Sequence, residues 1–227
     1  PDESHPRFNR TPIWLPWEPP GSELAIMLRR AVEECPDANG IVLASHGLFT
    51  WGATSRECYL NTSAVIDELG TFVLEHQERI AIFGGARHAA RSDRHEMAAA
   101  ILPFLRGRLA TVRRSIGAFD DAPETLEFVN ARDAEPLAEV GTSCPDHFVR
   151  TRIKPLMVAW DPATGTLDTL REAIARGAER YREEYTAYYR AFASPASPRL
   201  RDPNPSVVLV PGVGMFAFGA NSREARY

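Results

Sequence analysis

The sequence of 227 residues has few cysteines, a single lysine and no long apolar run. The three cysteines, Cys35, Cys58 and Cys144, are an odd number without a Cys-x-x-Cys pair, which argues against a disulfide framework or a zinc knuckle. Apolar stretches such as residues 98–102 are far too short to cross a bilayer. Lys154 is the only lysine, so an imine mechanism has one candidate nucleophile within this chain.

Composition and charge place the chain among ordinary globular proteins. Hydrophobic residues make up 44% and charged residues 25% of it, which excludes collagen-like, coiled-coil and disordered classes. The chain has 26 basic and 30 acidic residues, which gives a net charge of -4. Nucleic-acid-binding surfaces, by contrast, are usually basic. We therefore expect neither a nucleic-acid nor a membrane partner. Because no signal peptide is visible, we also expect a cytoplasmic location.

The two ends of the chain predict that it is a fragment of a longer polypeptide. The sequence opens with Pro1 instead of a methionine. Its last residues, 221–227, resemble a helix cut off after the first turn, and isolated helices that short are not stable.

Apolar periodicity and turn signals predict strands separated by helices, and hence an α/β fold. The predicted helices cover residues 23–35, 55–78, 92–113, 131–139 and 167–192. The predicted strands cover residues 41–45, 48–51, 125–129, 148–153, 156–160, 207–210 and 215–218. A loop is expected at residues 115–123. Ser22 is the expected N-cap of the first helix, and residues 54–57 (TSRE) fit a capping box for the second.

The first chemical motif is residues 45–52 (SHGLFTWG), in which His46 follows an apolar strand. The strand would fix the backbone, and Gly47 would permit a sharp turn with space beside the ring. Neutral imidazole is a good zinc ligand. The structural alternative is a turn histidine that hydrogen-bonds to the backbone, because single histidines are more often structural.

Three motifs in order resemble successive landmarks of one family. They are residues 45–52 (SHGLFTWG), 142–151 (TSCPDHFVRT) and 211–219 (PGVGMFAFG). Together they resemble the class II (zinc-dependent) aldolase/adducin family, and within it the bifunctional rhamnulose-1-phosphate aldolase/alcohol dehydrogenase proteins. The similarity extends over essentially the whole chain.

The resemblance implies a domain organisation and a metal. Residues 1–115 would form the C-terminal portion of a three-layer class II aldolase-like domain. Residues 116–227 would form a smaller α/β region that precedes a short-chain dehydrogenase domain, which alone would use NAD. His46 would be one zinc ligand. Family members bring a catalytic glutamate and a His-x-His pair upstream of this region, and the sequence contains no match to that pair.

The activity implied is retro-aldol cleavage of L-rhamnulose 1-phosphate to dihydroxyacetone phosphate and lactaldehyde. Zinc would polarise the ketone and stabilise the enediolate. With one of three zinc ligands, the fragment itself would be inactive, and the parent protein would be a homo-oligomer. The alternatives are a sugar-phosphate 4-epimerase of the same family and a non-catalytic adducin-like interaction module. A His-x-His pair upstream of Pro1 would favour an enzyme.

The second motif contains a group of candidate phosphate ligands. Asp146 and His147 precede a predicted strand on which Arg150, Arg152 and Lys154 alternate, so the three cations would share one face. Arginine binds phosphate with bidentate geometry. The alternative is a solvated strand face in which Asp146 is a turn residue. The resemblance supplies no role for His147.

Two further patterns receive structural interpretations. Residues 211–214 (PGVG) follow a strand, but the next glycine is Gly219, which breaks the spacing of a dinucleotide-binding loop and favours a hairpin turn. His88 and His95 lie seven residues apart among charged side chains. We expect both histidines on a solvated helix face.

Overall fold

The computed structural model describes residues 12–76, 81–142 and 144–226. Contacts divide the chain into a first unit, Pro1–Ile80, and a second unit, Ala81–Tyr227. The boundary predicted from the sequence lies later, between residues 115 and 116. The division by contacts lies earlier because the helix at Arg94–Leu109 shares a hydrophobic core with the helix at Leu167–Phe192.

In residues 12–76, the described part of the first unit, the chain forms a three-stranded sheet and two helices. Its elements are β1 (Ile13–Leu15), α1 (Ser22–Glu34), β2 (Gly40–Leu43), β3 (Gly47–Thr50) and α2 (Ser55–His76). The strand order is β1-β2-β3, with β1 parallel and β3 antiparallel to β2. Ile41 and Leu43 of the central strand are buried, which explains the apolar run that precedes His46.

The start of α2 confirms the predicted cap. The hydroxyl of Thr54 accepts a hydrogen bond from the backbone N–H of Glu57 at 3.1 Å. The Glu57 carboxylate turns back and accepts from the backbone N–H of Ala53 at 2.8 Å. The N–H of Glu57 in the first turn and the N–H of Ala53 just before the cap are thereby satisfied. The predicted helix α1 is present, but its predicted cap was wrong, since Gly21 takes the N-cap position and Ser22 is the first helical residue.

The second unit is an α/β arrangement built on a four-stranded sheet. Its elements are α3 (Arg94–Leu109), β4 (Ile116–Asp120), α4 (Pro123–Val129), α5 (Ala134–Val140), α6 (Pro145–Thr151), β5 (Leu156–Met157), α7 (Leu167–Phe192), β6 (Val207–Val210) and β7 (Gly214–Gly219). The strand order is β4-β7-β6-β5, and only the β5–β6 pair is parallel. One hydrophobic core joins α3, α7 and β7. Its fully buried residues include Ile101 and Leu105 of α3, Leu170 and Ile174 of α7, and Phe216 of β7.

Three local predictions in the second unit were wrong. Residues 125–129 lie in α4, most of 148–153 lies in α6, and 115–123 contains β4. Both helices begin with proline, Pro123 and Pro145, whose fixed φ suits the first helical position and offsets the β-branched residues that follow. Strand β4 forms because it pairs with β7, a partner distant in sequence.

Other predictions in this unit are confirmed. Helix α7 spans the predicted residues, and the Thr166 hydroxyl caps it by accepting from the backbone N–H of Thr169. Strands β6 and β7 form the predicted hairpin, with Gly212 at φ 73°, a conformation that favours glycine. No helix in the described ranges is both long and apolar enough to cross a membrane.

The cap of α2 provides a test of the first unit. Replacing Thr54 with Ala removes the acceptor for the Glu57 N–H, and should cost about 1 kcal/mol. Amide exchange in the first turn of α2 should accelerate about fivefold as a result. The control is Thr71→Ala, since the Thr71 hydroxyl only bonds back to the Asp67 carbonyl inside the helix. Equal exchange rates in the two variants would contradict the role of the cap.

An ion-pair cluster joins α3 to the chain after β4. The Asp121 carboxylate accepts hydrogen bonds at 2.7 Å from Nε of Arg94 and from Nε2 of His95. These bonds, first from Arg94 and then from His95, hold the pKa of Asp121 below its ordinary value of 3.8. A lowered carboxyl pKa stabilises the folded state above the unfolded pKa, and the contribution is lost as pH falls through the folded value.

Replacing Asp121 with Asn should therefore lower stability at pH 7. The difference from the wild type should begin to shrink near pH 3.8, where the unfolded carboxyl takes up a proton, and should disappear once pH falls below the lowered folded pKa and the native carboxylate is protonated as well. Thermal unfolding at pH 7, 5, 4 and 3 measures this. Asp168→Asn is the control, since Asp168 is 86% exposed in its pair with Arg171 and should contribute little. A difference that is constant over this range would refute the assignment.

Candidate functional site

The first candidate site is the turn between β2 and β3. Ser45 has a φ of 57° and Gly47 a φ of 134°, and the backbone N–H of His46 donates to the Leu43 carbonyl at 3.1 Å. The sharp turn expected after the strand is therefore present, and Gly47 adopts a conformation that other residues rarely take. This backbone holds His46 at the end of a buried strand.

The His46 ring presents a nitrogen that the described structure leaves unsatisfied. The side chain is half-buried, and its centroid lies 6.3 Å from that of the half-exposed Trp17 ring. Its Nε2 atom is buried and has no hydrogen-bond partner among the described residues. Leaving a buried polar atom unpaired is costly. An imidazole held in this way fits the role of one metal ligand, whereas the alternative of a hydrogen-bonded turn histidine does not account for Nε2.

The described residues do not complete a zinc site. No group of three or more His, Cys, Asp or Glu side chains within the described ranges could hold a metal ion. Zinc sites need three or four protein ligands. His46 alone does not fit a whole site, so no chemical step through zinc follows from these residues.

The second motif folds differently from the prediction. Asp146, His147 and Arg150 lie in α6, and Arg152 is the residue that ends it. Arg150, Arg152 and Lys154 therefore do not alternate on one strand face. His147 is exposed, and for Asp146 only its backbone position in the helix is described. One part of the prediction is retained: Arg150 and Arg152 lie close together, because both line the same cleft.

That cleft lies within the second unit and has a volume of about 760 Å³. We call it the arginine cleft, after the four arginines that line it, Arg113, Arg150, Arg152 and Arg201. Sequence reasoning found Arg150 and Arg152 but missed Arg113 and Arg201. These two come from the loops before β4 and before β6, and no local pattern links them to α6.

Lys154 is occupied by ion pairs instead of facing the cleft. Its Nζ lies 2.6 Å from Oε2 of Glu139 and 2.8 Å from Oε2 of Glu184, and the side chain is only 15% exposed. Burial alone would lower the pKa of Lys154, but the hydrogen bonds that its amine donates to Glu139 and Glu184 raise the pKa above its ordinary value. The amine is therefore charged at neutral pH and is a poor nucleophile, since imine formation needs the neutral form.

This arrangement predicts that Lys154 does not form an imine with a ketose phosphate. Borohydride reduction in the presence of dihydroxyacetone phosphate should leave Lys154 unmodified in a peptide mass map at pH 7. The variant Glu139→Gln/Glu184→Gln is the control, since it removes both partners and should increase any labelling. A reduced adduct on Lys154 of the wild type would contradict this prediction.

A second cavity is lined by His88, whose position differs from the prediction. His88 was expected on a solvated helix face together with His95. It lies before α3, its side chain is 18% exposed, and its Nδ1 is 4.0 Å from a carboxylate oxygen of Asp161. The two residues line a cavity of about 350 Å³ with Trp160 and Arg87. His95 is 66% exposed, as expected.

The loops around this cavity are fixed by buried hydrogen bonds. The backbone carbonyl of Asn130 accepts from the N–H groups of Arg87 and His88, and its side-chain oxygen accepts from the Gly212 N–H at 2.6 Å. The guanidinium of Arg91 pairs with Asp93 and donates to the backbone carbonyls of Pro162 and Gly165. These contacts stabilise the loop that follows Asp161 beside the cavity.

Comparison with known proteins identifies the family. Residues 96–227 match the family model described as "Aldolase class II, second domain", and residues 3–69 match "Class II Aldolase and Adducin N-terminal domain". The chain therefore belongs to the class II aldolase family, as the three motifs predicted.

A curated protein that is similar to this chain is an uncharacterized oxidoreductase, YuxG, of Bacillus subtilis (strain 168). It is 34% identical over 209 residues, which cover 91% of this chain and 30% of the relative. The chain thus spans less than a third of the length of that relative. No solved structure matches.

Proposed function

We propose that the whole protein is a zinc-dependent lyase that cleaves a sugar phosphate by a retro-aldol reaction, with L-rhamnulose 1-phosphate as substrate. Dihydroxyacetone phosphate and lactaldehyde would be the products. Membership of the class II aldolase family supports aldolase chemistry in general. The observation that carries the proposal is the buried Nε2 of His46, for which the described residues offer no partner.

His46 has the properties of a preorganised metal ligand. The turn at Ser45 and Gly47 fixes its backbone, and the half-buried ring cannot satisfy Nε2 within the described structure. A zinc ion, when bound, supplies Lewis-acid polarisation of the substrate carbonyl. The ion-paired Lys154 supports the same class of mechanism, because it leaves this chain without a neutral lysine for an imine route.

We place the other zinc ligands and the proton-transferring glutamate outside this chain. The described residues contain no metal-binding group of three, which supports that placement. A dehydrogenase region that uses NAD, a homo-oligomeric assembly and a cytoplasmic location are also parts of the proposal. The name of the YuxG protein is in keeping with a dehydrogenase region, since it calls that relative an oxidoreductase.

Replacing His46 with Asn in the whole protein tests the proposal. Losing one of three ligands should weaken zinc binding by at least about tenfold and reduce release of dihydroxyacetone phosphate by about 100-fold or more. Bound zinc is measured by mass spectrometry of the metal, and product by a coupled assay. His76→Asn is the control, because His76 is an exposed residue of α2 in the same unit.

Zinc titration of the 227-residue chain adds a second measurement. We expect weak binding and no aldol cleavage, since His46 is one ligand of an incomplete set. Micromolar or tighter affinity that vanishes in His46→Ala would show a complete site within this chain and would refute the placement of the other ligands. Full zinc content and activity in the His46→Asn protein would refute the metal role itself.

A further inference from the structure

We propose that the arginine cleft of the second unit binds the phosphoryl group of a phosphate monoester through Arg113, Arg152 and Arg201. All residues of the arginine cleft belong to the second unit, whereas His46 belongs to the first. Identifying the ester with the substrate rests on the proposed function.

The cleft carries unneutralised positive charge. Within the described part of the chain, no carboxylate forms an ion pair with Arg113, Arg152 or Arg201. Guanidinium groups of this kind form two parallel hydrogen bonds to phosphate oxygens, and these charge-assisted bonds are among the strongest in proteins. Three such groups around one cleft form an electrostatic trap for a doubly charged anion.

The two acidic residues of the cleft already have other partners. The Asp202 carboxylate accepts from the backbone N–H and the side-chain amide of Asn204, at 3.0 and 2.6 Å. The Glu224 carboxylate accepts from the backbone N–H of Ala220. Asn204 is 3% exposed and also accepts from Arg182 at 3.0 Å. These contacts hold the wall of the cleft in place and leave Arg113, Arg152 and Arg201 for a ligand.

Two donors in the cleft are buried without an acceptor. Nε of Arg152 and the hydroxyl of Ser115 are both inaccessible to solvent and have no hydrogen-bond partner among the described residues. Both residues line the arginine cleft. Buried donors are nearly always paired, so each of these points to an acceptor that binds there. Phosphoryl oxygens are acceptors only, and can serve both donors.

The backbone of Arg152 is strained where the side chain meets the cleft. Its φ of 70° and ψ of -166° fall in a region that is essentially restricted to glycine. The N–H of Arg152 bonds to the Phe148 carbonyl and so ends α6, a role that glycine fills without strain. An arginine in this position is explained by its guanidinium, and strained residues of this kind cluster at ligand sites.

The size of the cleft favours an ester over a bare ion. Its volume of about 760 Å³ lies in the range of pockets that hold small organic molecules. Inorganic phosphate would fill a small part of it. The remaining space can take the carbon chain of a phosphorylated sugar, with Ser206 and Asn204 lining the polar wall.

Titration calorimetry on the 227-residue chain, with a chelator present, tests the site. The probes are inorganic phosphate and glycerol 3-phosphate, and the variants are Arg152→Gly and Arg201→Gln. Each variant should weaken binding of both probes at least about tenfold, since each loses a charge-assisted contact. The Gly variant removes the guanidinium while relieving the backbone, so its melting temperature should not fall. Arg176→Gln is the matched control, because Arg176 is a 71% exposed arginine of α7 and should leave both affinities unchanged.

The possible outcomes are distinct from those of the zinc experiment. Absence of binding in the wild type, or unchanged affinity in both Arg152→Gly and Arg201→Gln, would overturn the site. Binding of inorganic phosphate with exclusion of glycerol 3-phosphate would overturn its assignment to phosphate esters. The His46→Asn variant should bind both probes like the wild type. The phosphate-binding result can therefore be interpreted even if the zinc proposal fails.

Discussion

The second unit is organised by the hairpin of β6 and β7. These two strands occupy the centre of the sheet, with β4 paired to β7 on one side and β5 to β6 on the other. Phe216 and Val208 of the hairpin are fully buried against α3 and α7. Its turn is anchored from outside the sheet, because Gly212 accepts from the Arg91 N–H and donates to the side chain of Asn130. The arginine cleft and the cavity beside His88 lie at opposite ends of this hairpin, since Ser206 and Gly219 line the first and Pro211 lines the second.

The arrangement explains which parts of the fold local sequence can predict. Helix α7, the hairpin and the cap of α2 depend on periodicity and on residues close in sequence, and all three were predicted. Strand β4 exists only because Ile116 and its neighbours pair with residues as far along as Gly219. No local signal carries that information. The helical state of α6 has a local cause, since Pro145 starts it, although a strand was predicted over most of these residues.

The two candidate sites also differ in how much of each could be predicted from local sequence. The position of His46 at a tight turn follows from a short motif, and the structure has that turn. What the motif could not provide is the burial of Nε2, which depends on how neighbouring elements cover the ring. The sequence motif predicted two of the four arginines of the arginine cleft, Arg150 and Arg152. Arg113 and Arg201 join them only because separate loops converge in the folded unit.

The backbone of Arg152 has an evolutionary consequence. A residue other than glycine with that backbone conformation costs about 1–3 kcal/mol of stability. If only stability mattered, mutation of Arg152 to glycine would therefore be favourable. Retention of arginine thus requires continuing selection on its side chain, whereas a protein relieved of that selection drifts toward glycine. The identity of this one residue should therefore serve as a record, readable from sequence, of whether a homologous domain still uses its cleft.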